Sequence, residues 1–392
     1  MLGCRIVEPL RGDLKSGGIS GRSRSRARTA TDQREQEIME GSRFTNYETG
    51  SGRRLGIAKR TAVLGFLSYG LLGILASAAS ADKLSCPPVQ RMAQTSDTPP
   101  ANKKIGVSVA YLKVPFYANF KTGLEDGAKQ FGFTYDLVDG NSGDVAAELA
   151  NLQNFAAQKR DLIILTPSGE GIIPGIKQVN DAGIPLIEAN NKAGFGRKEV
   201  NVLTYVGADD VEFGRLQGKL LDQAFGGKKT KIAYVMGFAG SPAQVLRAKG
   251  WDEFRAKNSQ YEEVARVTDD FDGAKALAVV QDLLSRFPKG QLDAIVMQGP
   301  EASAAVDFAI RNGRDEIKFI VGDYPADVRQ LIYDGKIFGT VDQDPYPQAY
   351  NAMRMAWLHF NGKDADIPKP FFLPLPLITK DNAEKTPAAW GC

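Results

Sequence analysis

Ile105-Gly106-Val107-Ser108-Val109-Ala110 opens a stretch, Lys104 to Asn191, in which short apolar runs alternate with amphipathic helical patterns. The later runs are Thr134-Tyr135-Asp136-Leu137-Val138, Leu162-Ile163-Ile164-Leu165 and Ile184-Pro185-Leu186-Ile187. Each has the length and near-continuous apolar character of a strand buried on both faces of a parallel sheet. Between them, Tyr117 to Phe131 places Phe120, Leu124, Ala128 and Phe131 on one helical face, and Asp144 to Gln158 does the same with Leu149, Leu152, Phe155 and Ala156. Strand, helix, strand in repetition predicts a doubly wound α/β sheet.

The second half repeats this grammar. Lys231–Met236, Glu263–Val267, Leu292–Met297 and Lys318–Val321 read as strands, with helices predicted near Ala243–Ala256, Ala274–Arg286, Glu301–Arg311 and Pro325–Asp334. A chain of 392 residues exceeds the size of one compact core, so two parallel-sheet domains are expected.

Ahead of the first strand, Arg53, Arg54, Lys59 and Arg60 precede the apolar run Ala62-Val63-Leu64-Gly65-Phe66-Leu67, and Ala79-Ser80-Ala81 supplies a small-residue cleavage pattern. This predicts a secretory signal cut after Ala81, the alternative being a retained membrane anchor. Residues 1–50 are expected to be disordered or untranslated, with Met39 as an alternative start, and 82–102, rich in Pro, Ser and Thr, to be an irregular lead-in. The formal charge of +3 comes from the leader, which holds 13 Lys and Arg against 7 Asp and Glu. The remainder of the chain is mildly acidic and offers no electrostatic footprint for nucleic acid. Of three cysteines, Cys86 and Cys392 survive cleavage. In an oxidising compartment they are expected to form a disulfide, with two free thiols as the alternative.

Six further segments carry a family resemblance: Val114-Pro115-Phe116-Tyr117, Ile184–Ile187 running into Asn190-Asn191, Tyr205–Asp210, Asp270-Phe271-Asp272, Phe319–Asp323 and Gly339–Gln343. In order and spacing, from about Ile105 to Leu377, the chain resembles the type I periplasmic solute-binding proteins of ABC sugar importers, the ribose-binding group. The resemblance implies two doubly wound lobes joined by a hinge of three crossings, near Gly207–Asp209, Gln343 and Lys369–Phe371. Lobe one would comprise 103–207 plus 344–370, and lobe two 208–343 plus 371–392.

It also implies a site. Phe116, Tyr117 and Phe271 stand where the family places aromatic plates, and such plates suit the C–H faces of a sugar. Asn190 and Asn191 align with an Asp-Arg pair, Gln343 with a polar hinge residue, and either Asp323 or Tyr324 with the ligand aspartate. Arg247 lies two positions beyond the ligand arginine, whose place Val245 takes, and Val114 replaces an asparagine. These departures imply a hydroxyl pattern other than ribose's. Lys113, Thr166, Gln298 and Glu301 are further polar candidates.

The expected function is thus capture of a small neutral sugar or polyol by a monomeric periplasmic protein that hands it to an importer's permease and ATPase. The alternative is a sensory binding protein acting on a chemoreceptor or sensor kinase. An enzyme is not expected, since no nucleophile–base constellation, Walker motif or metal-ligand spacing occurs, and no cofactor is implied. The one histidine, His359, falls on a late amphipathic helix and reads as a packing or surface residue.

Overall fold

Residues 102–391 are described by a computed structural model. The expected leader, its cleavage site, Cys86 and Cys392 lie outside the described residues. The chain first lays down β1 (Lys103–Val109), α1 (Phe116–Phe131), β2 (Phe133–Asp139), α2 (Val145–Ala157), β3 (Leu162–Thr166), α3 (Ile173–Asp181), β4 (Leu186–Ala189) and β5 (Tyr205–Gly207). It then builds α4 (Asp210–Phe225), β6 (Thr230–Met236), α5 (Pro242–Lys257), β7 (Tyr261–Thr268), α6 (Gly273–Arg286), β8 (Ala294–Met297), α7 (Ser303–Arg311), β9 (Lys318–Gly322), α8 (Ala326–Tyr333) and β10 (Gly339–Val341). Finally it returns through α9 (Pro345–Phe360) and β11 (Phe371–Phe372), and ends with β12 (Leu377–Thr379) and α10 (Lys380–Ala383).

Two six-stranded sheets result, ordered β11-β5-β4-β3-β1-β2 and β12-β10-β9-β8-β6-β7. All pairings are parallel except β10 with β12. The apolar runs explain themselves in this frame, because each sheet is covered on both faces. In lobe one Ile105, Val107 and Val109 pack with α1 and α9, whereas Ile163 and Leu165 pack on the other face with Leu152 and Ile176. Lobe two divides its core in the same way, with Ile295 and Val321 on one face and Val296 and Ile320 on the other.

Several helices begin just beyond strand ends with a side-chain cap. Asp144, Asp209, Ser241, Asp272 and Asp344 accept from free N–H groups at the starts of α2, α4, α5, α6 and α9. A cap of this kind contributes about 1 kcal/mol and fixes where the helix starts. The strands' carboxyl ends and these helix starts thereby face one cleft, the usual ligand position in open α/β sheets.

The chain passes between the sheets at Ala208–Asp209 and at Asp342–Asp344. The third crossing lies further along. Phe371 and Phe372 pair with Val206 and Gly207, and the Leu373 N–H donates to the Gly207 carbonyl, so the chain stays in the first sheet past the expected boundary at 370. It crosses between Leu373 and Pro376, before β12 joins β10. The C-terminal tail is not purely lobe two either, since Ala389 and Trp390 are part of the core built on β1, α1 and α9.

Candidate ligand-binding cleft

A cavity of about 200 Å³ lies between the lobes. It is lined by Phe116, Tyr117, Asn190, Asn191, Arg247, Phe271, Asp323 and Gln343, eight of the nine residues expected from sequence. Tyr324 is the exception. It is fully buried, and its hydroxyl donates to the carbonyls of Ala383 and Thr386, so it anchors the tail rather than facing the cleft. Asp323, one residue earlier and with a positive φ of 60°, turns into the cavity instead.

The aromatic walls come from both lobes. Phe116 and Tyr117 begin α1, edge-on to each other with centroids 5.2 Å apart. Phe271 sits in a tight turn after β7 in which Asp270 and Phe271 both have positive φ, and Oδ1 of buried Asp269 accepts the Phe271 N–H at 2.9 Å. The ring lies in a slot floored by two glycines. A Cβ on Gly237 would fall 2.0 Å from the ring, and one on Gly299 2.5 Å from it. Only residues without a side chain leave room there.

Three lining aromatics are absent from the sequence expectations. Tyr111 and Phe238 stack at 4.4 Å with an interplanar angle of 8°, joining the end of β1 to the loop after β6 across the cleft. Both follow a strand's carboxyl end, a signal that was available. Trp390 is the third, and its tail carries no periodicity that could have pointed to it.

A buried hydrogen-bond chain runs behind the cavity. The Tyr117 hydroxyl donates to Oδ1 of Asn190 at 2.8 Å, Nδ2 of Asn190 to Oε1 of Gln348 at 3.1 Å, and Nε2 of Gln348 to Oε1 of Gln343 at 3.2 Å. Gln348, on α9, was not anticipated. The chain links the aromatic start of α1 to the second crossing, and a satisfied network of this kind fixes side-chain orientation.

Arg247 is 3 % exposed and lies over the Phe213 ring, 3.8 Å from its centroid. Its Nε donates to Oδ1 of Asp210 at 2.9 Å and Nη1 to the Gln298 carbonyl at 2.7 Å. Burial draws its pKa down, but Asp210 and Asp323 outweigh that and keep it charged. Val245, the position aligned with the family's ligand arginine, is 52 % exposed. Arg247, two residues on, occupies the cavity wall instead.

Burial raises the Asp323 carboxyl to about 6 in spite of Arg247 and the Gln343 amide. Glu301 also lines the cavity, and burial together with repulsion from Asp269 and Asp323 pushes it well above the carboxylate range. Of the remaining candidates, Lys113 is solvated, Thr166 is buried, and Gln298 is an internal brace bonded to Tyr234 and Gly237. His359 pairs with Asp364 on the outer side of α9.

Two lobes enclosing an aromatic and polar cavity define a cleft-type solute binder. The family model described as a periplasmic binding protein domain matches residues 105–364, and the chain belongs to that family. The chain is 26% identical over 247 residues to the ribose import binding protein of Escherichia coli, covering 62% of this chain and 80% of that one. It is 25% identical over 294 residues to the xylitol-binding protein of Mycolicibacterium smegmatis, covering 74% and 80% respectively. Among solved structures, an ABC transporter solute-binding protein from Bacillus halodurans with bound myo-inositol superposes with a TM-score of 0.66 at 25% identity, over 74% of this chain and 98% of that one.

Proposed function

We infer that this protein is the extracytoplasmic binding component of an ABC importer for a sugar, polyol or related hydroxylated solute. The observation that carries the reading is the cavity itself, with aromatic rings from both lobes around a set of buried amide, guanidinium and carboxyl groups. Rings cover the apolar faces of such a solute, and the fixed polar groups match its hydroxyls. Relatives named for ribose and xylitol support this class of ligand.

In this reading the solute enters an open form and the lobes close by bending at the three crossings. Asn190, Asn191 and Gln343 stand near those crossings and sense the ligand where the hinge moves. The protein acts as a monomer in the periplasm, reached through the leader that ends at Ala81, and presents its closed form to a membrane permease driven by an ATPase. A thermal-shift screen of the mature protein against pentoses, hexoses, deoxysugars and polyols tests the ligand class, since a solute bound only by the folded state raises the melting temperature. A selective shift by one hydroxylated solute is expected. Uniform melting across the panel, by protein that is demonstrably folded, contradicts the reading.

A further inference from the structure

The cavity carries more acidic groups than basic ones. Three carboxylates, Glu301, Asp323 and Asp327, line it against one guanidinium, Arg247, and that guanidinium is already paired with Asp210. Asp327 is the outermost, exposed and bonded to the Ser303 hydroxyl. Glu301 and Asp323 form the inner pair. Oε2 of Glu301 and Oδ1 of Asp323 are enclosed without a hydrogen-bond partner, and Asp323 is only 6 % exposed. Its nearest cation, Nη1 of Arg247, stands 4.0 Å from that oxygen and is bonded elsewhere. Enclosed carboxylate oxygens left without donors are costly, so a solute that brings donors to them is favoured.

A hydroxyl supplies a hydrogen bond and no charge. An ammonium supplies several charge-assisted bonds and neutralises a carboxylate as well. The surroundings of Glu301 favour the second. A Cβ on Gly299 would lie 2.3 Å from Oε2 of Glu301 and 2.5 Å from the Phe271 ring, so carboxylate and ring flank one point. A cation held by Glu301 is within reach of that ring's π system. We propose that the solute carries a protonated amine beside its hydroxyls, as an amino sugar, aminocyclitol or aminopolyol does, and that Glu301 and Asp323 hold the ammonium. The proposal rests on the sugar-and-polyol reading of the cleft and adds a charge to it.

The titration of these groups makes the proposal measurable. The charged groups facing Glu301 are Asp269 from the turn after β7, Asp323 from the end of β9, Asp327 from α8 and Arg247 from α5. Burial first, and then repulsion from Asp269 and Asp323, push the Glu301 carboxyl well above the usual carboxylate range while the cleft is empty. An arriving ammonium stabilises the carboxylate and draws its pKa back down, so binding is coupled to proton release, whereas a neutral sugar leaves the balance unchanged.

Calorimetric titration of the mature protein decides between them. The probes are 2-amino-2-deoxyglucose, 2-amino-2-deoxygalactose, 2-amino-2-deoxymannose and an amino-inositol, each beside its uncharged parent, in buffers of different ionisation enthalpy. At least one amine is expected to bind roughly tenfold or more tightly than its parent and to release protons at pH 7. Its affinity should fall as the pH is lowered to 5, because protons then compete for the carboxylates. Glu301→Gln or Asp323→Asn should bring the amine to its parent's level with the melting temperature retained. Parents binding as tightly as their amines throughout would overturn the proposal and leave the sugar reading standing. An amine preference that survives both substitutions would overturn the assignment to these carboxylates, and no binding from either set by folded protein would overturn both readings.

Discussion

The indole of Trp390 meets the Phe116 ring edge-on, with centroids 5.2 Å apart and an interplanar angle of 79°, although the backbone that carries it is bonded to the other lobe. The Trp390 carbonyl accepts from the Ala326 N–H at 3.0 Å, and the Ala389 N–H donates to the Tyr324 carbonyl at 2.9 Å. Arg329 holds the preceding turn through the carbonyls of Ala383, Glu384 and Thr386. The tail is therefore pinned to lobe two and reaches into lobe one, where Nδ2 of Asn119 also donates to the Ala389 carbonyl at 2.7 Å. It ties the lobes together independently of the three crossings.

Replacing Trp390 with Ala should weaken ligand binding by about 1–3 kcal/mol through lost ring contact and apolar burial. The pins through Tyr324 and Arg329 remain, so unfolding should change much less than binding. Titration with the ligand found by screening, beside a melting curve of the same variant, checks this. Equal affinity in the variant would mean that Trp390 only fills space behind the site.

Gln348 is fully buried and holds Asn190 and Gln343 with one amide. In Gln348→Leu the Nδ2 group of Asn190 and the Oε1 of Gln343 lose their partners, which should destabilise the fold by about 1–3 kcal/mol. Binding should weaken as well, because both neighbours lose their fixed orientation. Urea unfolding measures the first effect and calorimetry the second. An unchanged denaturation midpoint would show that the network carries no net stability.

The slot beneath Phe271 gives a test that leaves the ring chemically intact. Gly237→Ala places a methyl where the ring now lies, and the turn must shift to admit it. Binding should fall to a degree comparable with Phe271→Ala, about 1–3 kcal/mol, while the sheet core is left alone. Wild-type affinity in Gly237→Ala would mean that the ring's position is not used by the ligand.

Asp269 sets a pH dependence of the empty protein. Burial, aided by Asp270 and Asp272, raises its carboxyl to about 7. Since the folded state then binds a proton that the unfolded chain releases, its contribution is present at low pH and is lost as the pH rises through about 7, at ~1.4 kcal/mol per unit of displacement. Asp323, Asp342 and Asp344 are displaced in the same direction, chiefly by burial. The melting temperature should accordingly be higher near pH 5.5 than at pH 8. Asp269→Asn, whose Oδ1 can still accept the Phe271 N–H, should flatten part of that slope, and parallel profiles for the two proteins would contradict the assignment.

Much of the architecture was legible because parallel strands covered on both faces must be apolar along their buried length, as Leu162–Leu165 and Phe319–Val321 are. Short edge elements were not. The pairing of Phe371 and Phe372 with Val206 and Gly207 rests on two residues and a long-range register, which no periodicity announces. Helices α3 and α4 are likewise absent from the sequence expectations, although α4 is capped by Asp209 and buries Phe213, Leu220 and Leu221. In the site, residues just after strand ends could be named from position, and Tyr111 and Phe238 obey that rule without being picked out. Arg247 and Asp323 each required a choice between neighbours that alignment to a motif could not make. The direction of a side chain one residue along a helix or turn depends on backbone geometry, here the positive φ of Asp323 and the inward face of α5.

The most direct test is a titration of the mature wild-type protein and the Phe116→Ala/Phe271→Ala double variant with the solute that screening selects. The account predicts one site per monomer with a dissociation constant on the order of micromolar or tighter for wild type, near −8 kcal/mol, and a loss of about 2 kcal/mol or more in the double variant. Binding of equal strength in both proteins would place the ligand outside this cleft and contradict the account.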